Sequence, residues 1–296
     1  MKGFYYMVDM TGKHVMVTGA TNGIGEVSAL ELARMGATVV VVSRSEAKCK
    51  RVVNSIRQAT GNLNVSYMAA DLSDMEAVRQ LADAYKMKFD RLDVLLNNAG
   101  AFFESRQTSV DGLEMTFALN HINYFLLTHE LLPLIQQTAT DNPAWGARIV
   151  NVSSEAHRSG MNWNDVQYER GYNAINAYGQ SKCMNVLFTY ELADRLAGTG
   201  ITVNALHPGF VATGFGMNSN WLIRGLMTLI RPLARTPEQG AETNIYLASS
   251  PEVQGVTGKY FADNQQQQTI PSTYEKGEQE RLWVLSEEIT GIKQPI

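Results

Sequence analysis

The stretch that most narrows the possible folds is TGATNGIG at 18–25, which lies between an apolar run and a helical one. Residues 13–18, KHVMVT, are apolar enough to form a buried strand, and 26–35 carry Val27, Leu30 and Leu32 at helical spacing. A glycine cluster that closes a strand and opens a helix is the setting a dinucleotide-binding turn requires. Gly19 permits the tight turn. Gly23 and Gly25 let backbone approach a pyrophosphate and let the helix pack on the strand. The helix N-terminus then offers N–H groups to anionic oxygens. Taken alone, the cluster is equally an ordinary turn.

The rest of the chain repeats the strand-then-helix rhythm. Strands are predicted at 38–43 (TVVVVS), 65–70, 92–97, 148–152, 202–206 and 258–261, and helices at 45–60, 74–87, 116–137, 177–197 and 237–248. Such alternation predicts βαβ units with right-handed crossovers. The fold class is therefore α/β: one doubly wound parallel sheet, Rossmann-type, with helices on both faces and a single domain over 1–296. The homopolymer 265–268, QQQQ, is expected to be a solvated loop.

Composition removes several function classes. Apolar residues make up 45% and charged residues 18%, with a net charge of -4, so no nucleic-acid partner is expected. The two cysteines, Cys49 and Cys183, form no framework for a chain of 296 residues, which predicts reduced thiols and a cytoplasmic location. No stretch approaches the roughly 20 apolar residues of a membrane span. The nearest, WLIRGLMTLIRPL at 221–233, is broken by Arg224, Arg231 and Pro232 and suits a peripheral membrane contact or a cover over an apolar pocket. No metal site is expected.

Two further positions bear on chemistry. The second strand ends in Ser43 followed by Arg44, without the carboxylate that would hold a ribose 2′-OH. A guanidinium there suits a 2′-phosphate, with Lys48 one turn further on, so the cofactor expected is NADP(H). Tyr178 and Lys182 are four apart on a predicted helix and share a face. A tyrosine has a pKa of about 10 and needs help to exchange protons near neutrality; an ammonium gives it by stabilising the phenolate.

These motifs occur in order with NNAG at 97–100, LNHINYFLLT at 119–128, RIVNVSSEAH at 148–157, AYGQSK at 177–182, NALHPGFVAT at 204–213, GKYFAD at 258–263 and RLWVLSEE at 281–288. Over essentially its whole length the chain resembles the short-chain dehydrogenase/reductase family, and within it the retinol dehydrogenase-like branch. The resemblance implies an oxidoreductase with Asn120, Ser154, Tyr178 and Lys182 as its catalytic set. Ser154, rather than Ser153, would bond the substrate oxygen, and Tyr178 would pass the proton. Lys182 would bind ribose and lower the tyrosine pKa, while Asn120 would hold a helix distortion. The cofactor would lie against Gly19, Asn22, Gly23, Ile24, Gly25 and Arg44. Asp71 and Leu72 would contact adenine, and Asn98, Ala99 and Gly100 the adenosine side. Pro208, Gly209 and Val211 would face nicotinamide, with Thr213 near the phosphates.

The implied substrate is an apolar carbonyl compound or alcohol. Its cleft is expected from Phe102 and His157, an insertion at 155–177 carrying Met161, Trp163 and Tyr172, and a lid at 214–235 carrying Phe215, Trp221 and Leu222. The same insertion is also consistent with a surface excursion packed by its own aromatics. Animal members of the branch carry an N-terminal membrane anchor, whereas this chain reaches its first strand at 13, so a retinol-type native substrate is not expected. Many relatives pair the helices at 116–137 and 177–197 in a four-helix contact, which implies a homodimer or homotetramer. Two other readings stay open: reduction of an activated carbon–carbon double bond, and a non-catalytic NADP sensor on the same fold.

Overall fold

The computed structural model describes residues 8–211 and 234–292. Its first half alternates as the apolar pattern predicts: β1 (His14–Thr18), α1 (Gly23–Arg34), β2 (Thr38–Ser43), α2 (Glu46–Thr60), β3 (Val65–Ala69), α3 (Met75–Lys88) and β4 (Val94–Asn97). The region expected as one helix from 116 is a short α4 (Met115–Phe117), a π turn (Ala118–Ile122) and α5 (Asn123–Asp141). Then follow β5 (Ala147–Val152), a 3-10 turn (Glu155–Ser159), α6 (Ala174–Arg195) and β6 (Ile201–His207). The chain closes with α7 (Pro237–Ser249), β7 (Lys259–Ala262), β8 (Gln265–Gln267) and α8 (Lys276–Thr290).

The strands form one sheet in the order β3-β2-β1-β4-β5-β6-β7-β8. Strand order reverses between β1 and β4, and the crevice at such a switch point is where open α/β sheets bind ligands. Alternation along each strand feeds two apolar layers. Val15, Val17, Val39 and Val41 pack with Ala29, Leu32, Val52 and Ile56 on one face. Met16, Val40, Val42 and Leu95 pack with Val78, Leu81, Phe125 and Leu132 on the other.

Two features depart from the sequence reading. The glutamine run is not a loop but an edge strand, pairing antiparallel with β7, so the sheet is mixed rather than wholly parallel. Its three residues are exposed, and backbone pairing alone holds them. The second is α8, which the pattern did not announce. Trp283 is buried between α5 and α6, with ring centroids 5.1 Å from Phe125, 5.1 Å from His129 and 6.1 Å from Phe188. The Arg195 guanidinium lies 4.1 Å over its ring, and His121 Nε2 and Ser286 Oγ are 2.9 Å apart. Every residue of α6 from Gly179 to Ala193 is consequently buried. No helix among the described residues is long and apolar enough to cross a membrane.

Candidate active site

The glycine turn is held by the loop that follows β4. Thr18 Oγ1 accepts hydrogen bonds from the Asn98 and Ala99 N–H groups at 2.9 and 3.0 Å, and Asn98 Nδ2 donates to Thr18 O at 2.8 Å. The Asn98 side-chain amide thus buttresses the turn. Gly25 has no room for a side chain: a Cβ would lie 2.4 Å from Asn98 Nδ2 and 2.5 Å from Gly19 O. Gly19 has φ +65, a left-handed backbone that glycine adopts freely. Helix α1 starts at Gly23, three residues ahead of its apolar periodicity, and the Asn22 side chain makes no capping bond. Its first N–H groups thus have no side-chain cap, which suits an anionic ligand.

Around this turn the expected cofactor residues are gathered at one end of the sheet. Ser43 Oγ accepts from Thr21 Oγ1 at 3.0 Å, and both Arg44 and Lys48 are exposed beyond it. Asp71 Oδ1 accepts from Ser73 N and Ser73 Oγ at 3.0 and 2.7 Å, while Leu72 is buried. After β6, Pro208, Gly209 and Val211 are half-buried. A Cβ on Gly240 of α7 would meet Val211 Cγ2 at 2.5 Å and Ile24 Cγ2 at 2.8 Å, so α7 draws the post-β6 loop against the start of α1. A cradle without side chains, an uncapped helix start and an exposed guanidinium together fit a phosphorylated dinucleotide. Thr213, Phe215, Trp221, Leu222 and most of the expected lid lie outside the described residues.

The polar centre stands where β4, β5 and α6 meet. The Ser154 side chain stands close enough to the Tyr178 hydroxyl to hold its pKa down as a hydrogen-bonding partner. Ser153, by contrast, is buried and donates its hydroxyl to Lys182 O at 2.8 Å, away from Tyr178. Lys182 is almost fully buried; its Nζ donates to Val152 O at 3.0 Å and lies 5.6 Å from the Tyr178 ring centroid. A Cβ on Gly100 would come within 3.4 Å of the same Nζ, so the loop after β4 reaches this centre. Asn120 sits in the π turn, where the helix distortion was expected. Its amide donates to Ala101 O and Ser181 Oγ, each at 3.0 Å, and accepts from Ala101 N at 2.9 Å.

Electrostatics here differ from the sequence expectation. Burial pushes the Tyr178 phenol up to about 12, and the Ser154 bond opposes that push. Burial also draws Lys182 down to about 7. Burial thus works against the charged ammonium, which weakens the help it gives relative to a surface lysine. Desolvation outweighs the Ser154 interaction, and Tyr178 is held as a proton donor.

The expected substrate wall divides. The Phe102 ring lies 6.0 Å from Tyr178, edge to face. The Tyr172 hydroxyl donates to Phe103 O at 2.8 Å, beside Phe102. His157 is fully buried, its Nδ1 2.8 Å from Ser154 O and its ring 4.9 Å from Tyr260; it faces the protein rather than a cleft. Met161 and Trp163 pack on the apolar cluster of Leu113, Phe117, Met184 and Leu282. Trp163 Nε1 donates to Glu278 Oε2 at 2.6 Å, and Arg281 lies 4.3 Å over its ring. The insertion at this point is packed onto α8. Residues the sequence did not single out complete the centre. Tyr124 lies with its ring 5.9 Å from Lys182 Nζ, and Asn185 Nδ2 donates to Val152 O at 3.3 Å. Their only signal was polarity inside otherwise apolar helices.

A glycine-lined switch point next to a Ser–Tyr–Lys centre defines an oxidoreductase built on the dinucleotide-binding fold. The short chain dehydrogenase family model matches residues 13–221. Retinol dehydrogenase 14 of Mus musculus is 39% identical over 299 residues, covering 96% of this chain and 87% of its own length. Polyprenol dehydrogenase of Homo sapiens is 38% identical over 281 residues, covering 94% and 84%. The solved Pseudomonas aeruginosa RhlG/NADP active-site complex superposes with a TM-score of 0.69 at 29% identity, over 87% of this chain and 96% of that one. The chain belongs to the short-chain dehydrogenase/reductase family, and within it is retinol dehydrogenase-like.

Proposed function

We propose that this protein is an NADP(H)-dependent carbonyl reductase or alcohol dehydrogenase of apolar substrates, with Tyr178 as acid/base. The observation that carries the reading is the gathering of Ser154 and Lys182 about Tyr178 at the switch point, with Lys182 Nζ 5.6 Å from the phenol ring centroid. The nicotinamide, when bound, supplies or accepts the hydride. Negative charge grows on the carbonyl oxygen during reduction, and the Ser154 and Tyr178 hydroxyls are donors fixed in advance to meet it. Tyr178 then gives its proton, so no free alkoxide is released; in alcohol oxidation it takes the proton back. A phenol raised by burial is held protonated, as the donor role in reduction requires, at neutral pH.

Preference for NADP(H) follows from the exposed Arg44 beyond Ser43 and from the lack of a carboxylate at the end of β2. RhlG, in complex with NADP, supports the same reading. Phe102 next to Tyr178, and relatives named for retinol and for polyprenol, favour an apolar alcohol or aldehyde. Retinal belongs in a substrate series on that ground. The test is initial-rate measurement with NADPH on apolar aldehydes, ketones and enones. Carbonyl reduction with NADPH preferred over NADH is the expected result. Reduction of the enone double bond alone, or cofactor binding without turnover of any of them, would overturn the proposal.

A further inference from the structure

We propose that His157 is a positioning residue for the reaction: it locks the turn that carries Ser154 onto the helix that carries Tyr178. This rests on the reading of Ser154 and Tyr178 as the polar centre.

The geometry is local and closed. Ser154 begins the 3-10 turn Glu155–Ser159, and its carbonyl oxygen accepts twice from one residue: the His157 N–H at 3.0 Å and His157 Nδ1 at 2.8 Å. A carbonyl only accepts, so Nδ1 carries the hydrogen and Nε2 is the bare nitrogen. Burial lowers the imidazole pKa, with Arg158 adding to the effect, while the Ser154 bond and Glu155 oppose it; the ring is neutral at pH 7. The ring rests on Tyr260 of β7, and His207 of β6 holds the next residue, its Nδ1 accepting from Glu155 N at 3.2 Å. The turn meets α6 one residue past Tyr178. A Cβ on Gly179 would come 2.1 Å from Ser159 Oγ and 2.8 Å from Ala156 O, so the turn lies flush on the helix. Ser154 therefore reaches Tyr178 across a contact with no slack, and the imidazole bond keeps its main chain from tilting away. Among the described residues, the hydrogen bond of the buried His157 ring is to Ser154.

The test compares His157→Phe, which keeps a ring against Tyr260 and loses the donor, with His157→Asn, which places an amide donor near Nδ1. His157→Leu serves as a second variant without a donor should the phenylalanine fail to fit. Ser154→Ala and Tyr178→Phe run alongside. The donor-free variant should lose roughly tenfold in kcat, short of the roughly 10²-fold expected for losing a donor outright. KM for NADPH should not move, and the asparagine variant should recover most of the rate. A second readout separates positioning from general loosening. The Ser154 bond holds the Tyr178 phenol down, whereas Lys182, Tyr124 and Tyr260 are unchanged neighbours. Releasing that bond raises the phenol. Alcohol oxidation needs the phenolate, so its rising limb should move to higher pH in the donor-free variant and return in His157→Asn. Full activity in both donor-free variants, or equal losses in all three with an unshifted limb, would overturn the inference. If Ser154→Ala and Tyr178→Phe also kept full activity, the proposed function itself would fall; if they alone lost it, only the role of His157 would.

Discussion

The two adjacent serines after β5 offer a comparison in which stability and catalysis separate. Ser153→Ala deletes a buried hydroxyl that donates to Lys182 O at 2.8 Å. The net loss for such a bond is about 1 kcal/mol. Ser154→Ala deletes the side chain that caps the 3-10 turn by accepting from Ala156 N at 3.2 Å. A lost cap also costs about 1 kcal/mol. Thermal unfolding should therefore place the two variants close together. Their rates should not agree. Of the two serines it is Ser154 whose side chain acts on the Tyr178 phenol, so its loss removes a donor from the developing oxyanion. That loss is worth roughly 10²-fold in kcat or more, or about 2.7 kcal/mol of barrier. Ser153→Ala should stay within about threefold of wild type, a difference set by the slight relaxation of Lys182. The assay is NADPH oxidation with a saturating apolar aldehyde, alongside alcohol oxidation with NADP across pH. The Ser154 bond lowers the phenol, so Ser154→Ala should carry the alkaline limb further up. A larger activity loss in Ser153→Ala than in Ser154→Ala would refute the assignment of roles.

Arg44→Ala should weaken NADPH by roughly tenfold or more, the value of a charge-assisted bond, and leave NADH unchanged; equal losses for both would remove Arg44 from the 2′-phosphate. Catalytic efficiency should rise about fourfold per added methylene along an aldehyde series, from about 0.8 kcal/mol each; an efficiency that falls from the first added carbon would point to a polar substrate. Trp283→Ala should cost about 3–5 kcal/mol of stability, read as a lower denaturation midpoint, with activity per folded molecule retained. A midpoint equal to wild type would mean that α8 does not pin α5 and α6.

Where burial and local pattern agree, the architecture was legible in the residues. Valines 39 to 42 announce β2 because both faces of that strand are covered, and TGATNGIG announces the turn because only glycines pass so near Asn98. The edge strand Gln265–Gln267 was hidden because its side chains are exposed and carry no apolar signal. Helix α8 was hidden for another reason: it meets α5 and α6 through Trp283, and its buried face also carries the polar side chains Ser286 and Gln279, which blur its apolar stripe. At the site, the spacing of Tyr178 and Lys182 gave their shared face but not their burial. Desolvation reverses the expected direction of the tyrosine shift, and a one-dimensional reading carries no dielectric. His157 and Trp163 lie in the expected insertion, where His157 bonds the local Ser154 carbonyl and Trp163 the distant Glu278.

The central claim is that Tyr178 exchanges the proton in an NADP(H)-dependent carbonyl reaction. Tyr178→Phe tests it most directly, because the ring stays and only the hydroxyl is lost. NADPH affinity, read by fluorescence titration, should hold within about twofold, while turnover of the best aldehyde should fall below about a hundredth of wild type, the lower end of what a positioned acid contributes. A variant that binds NADPH normally and keeps about a tenth of the rate or more would contradict the account.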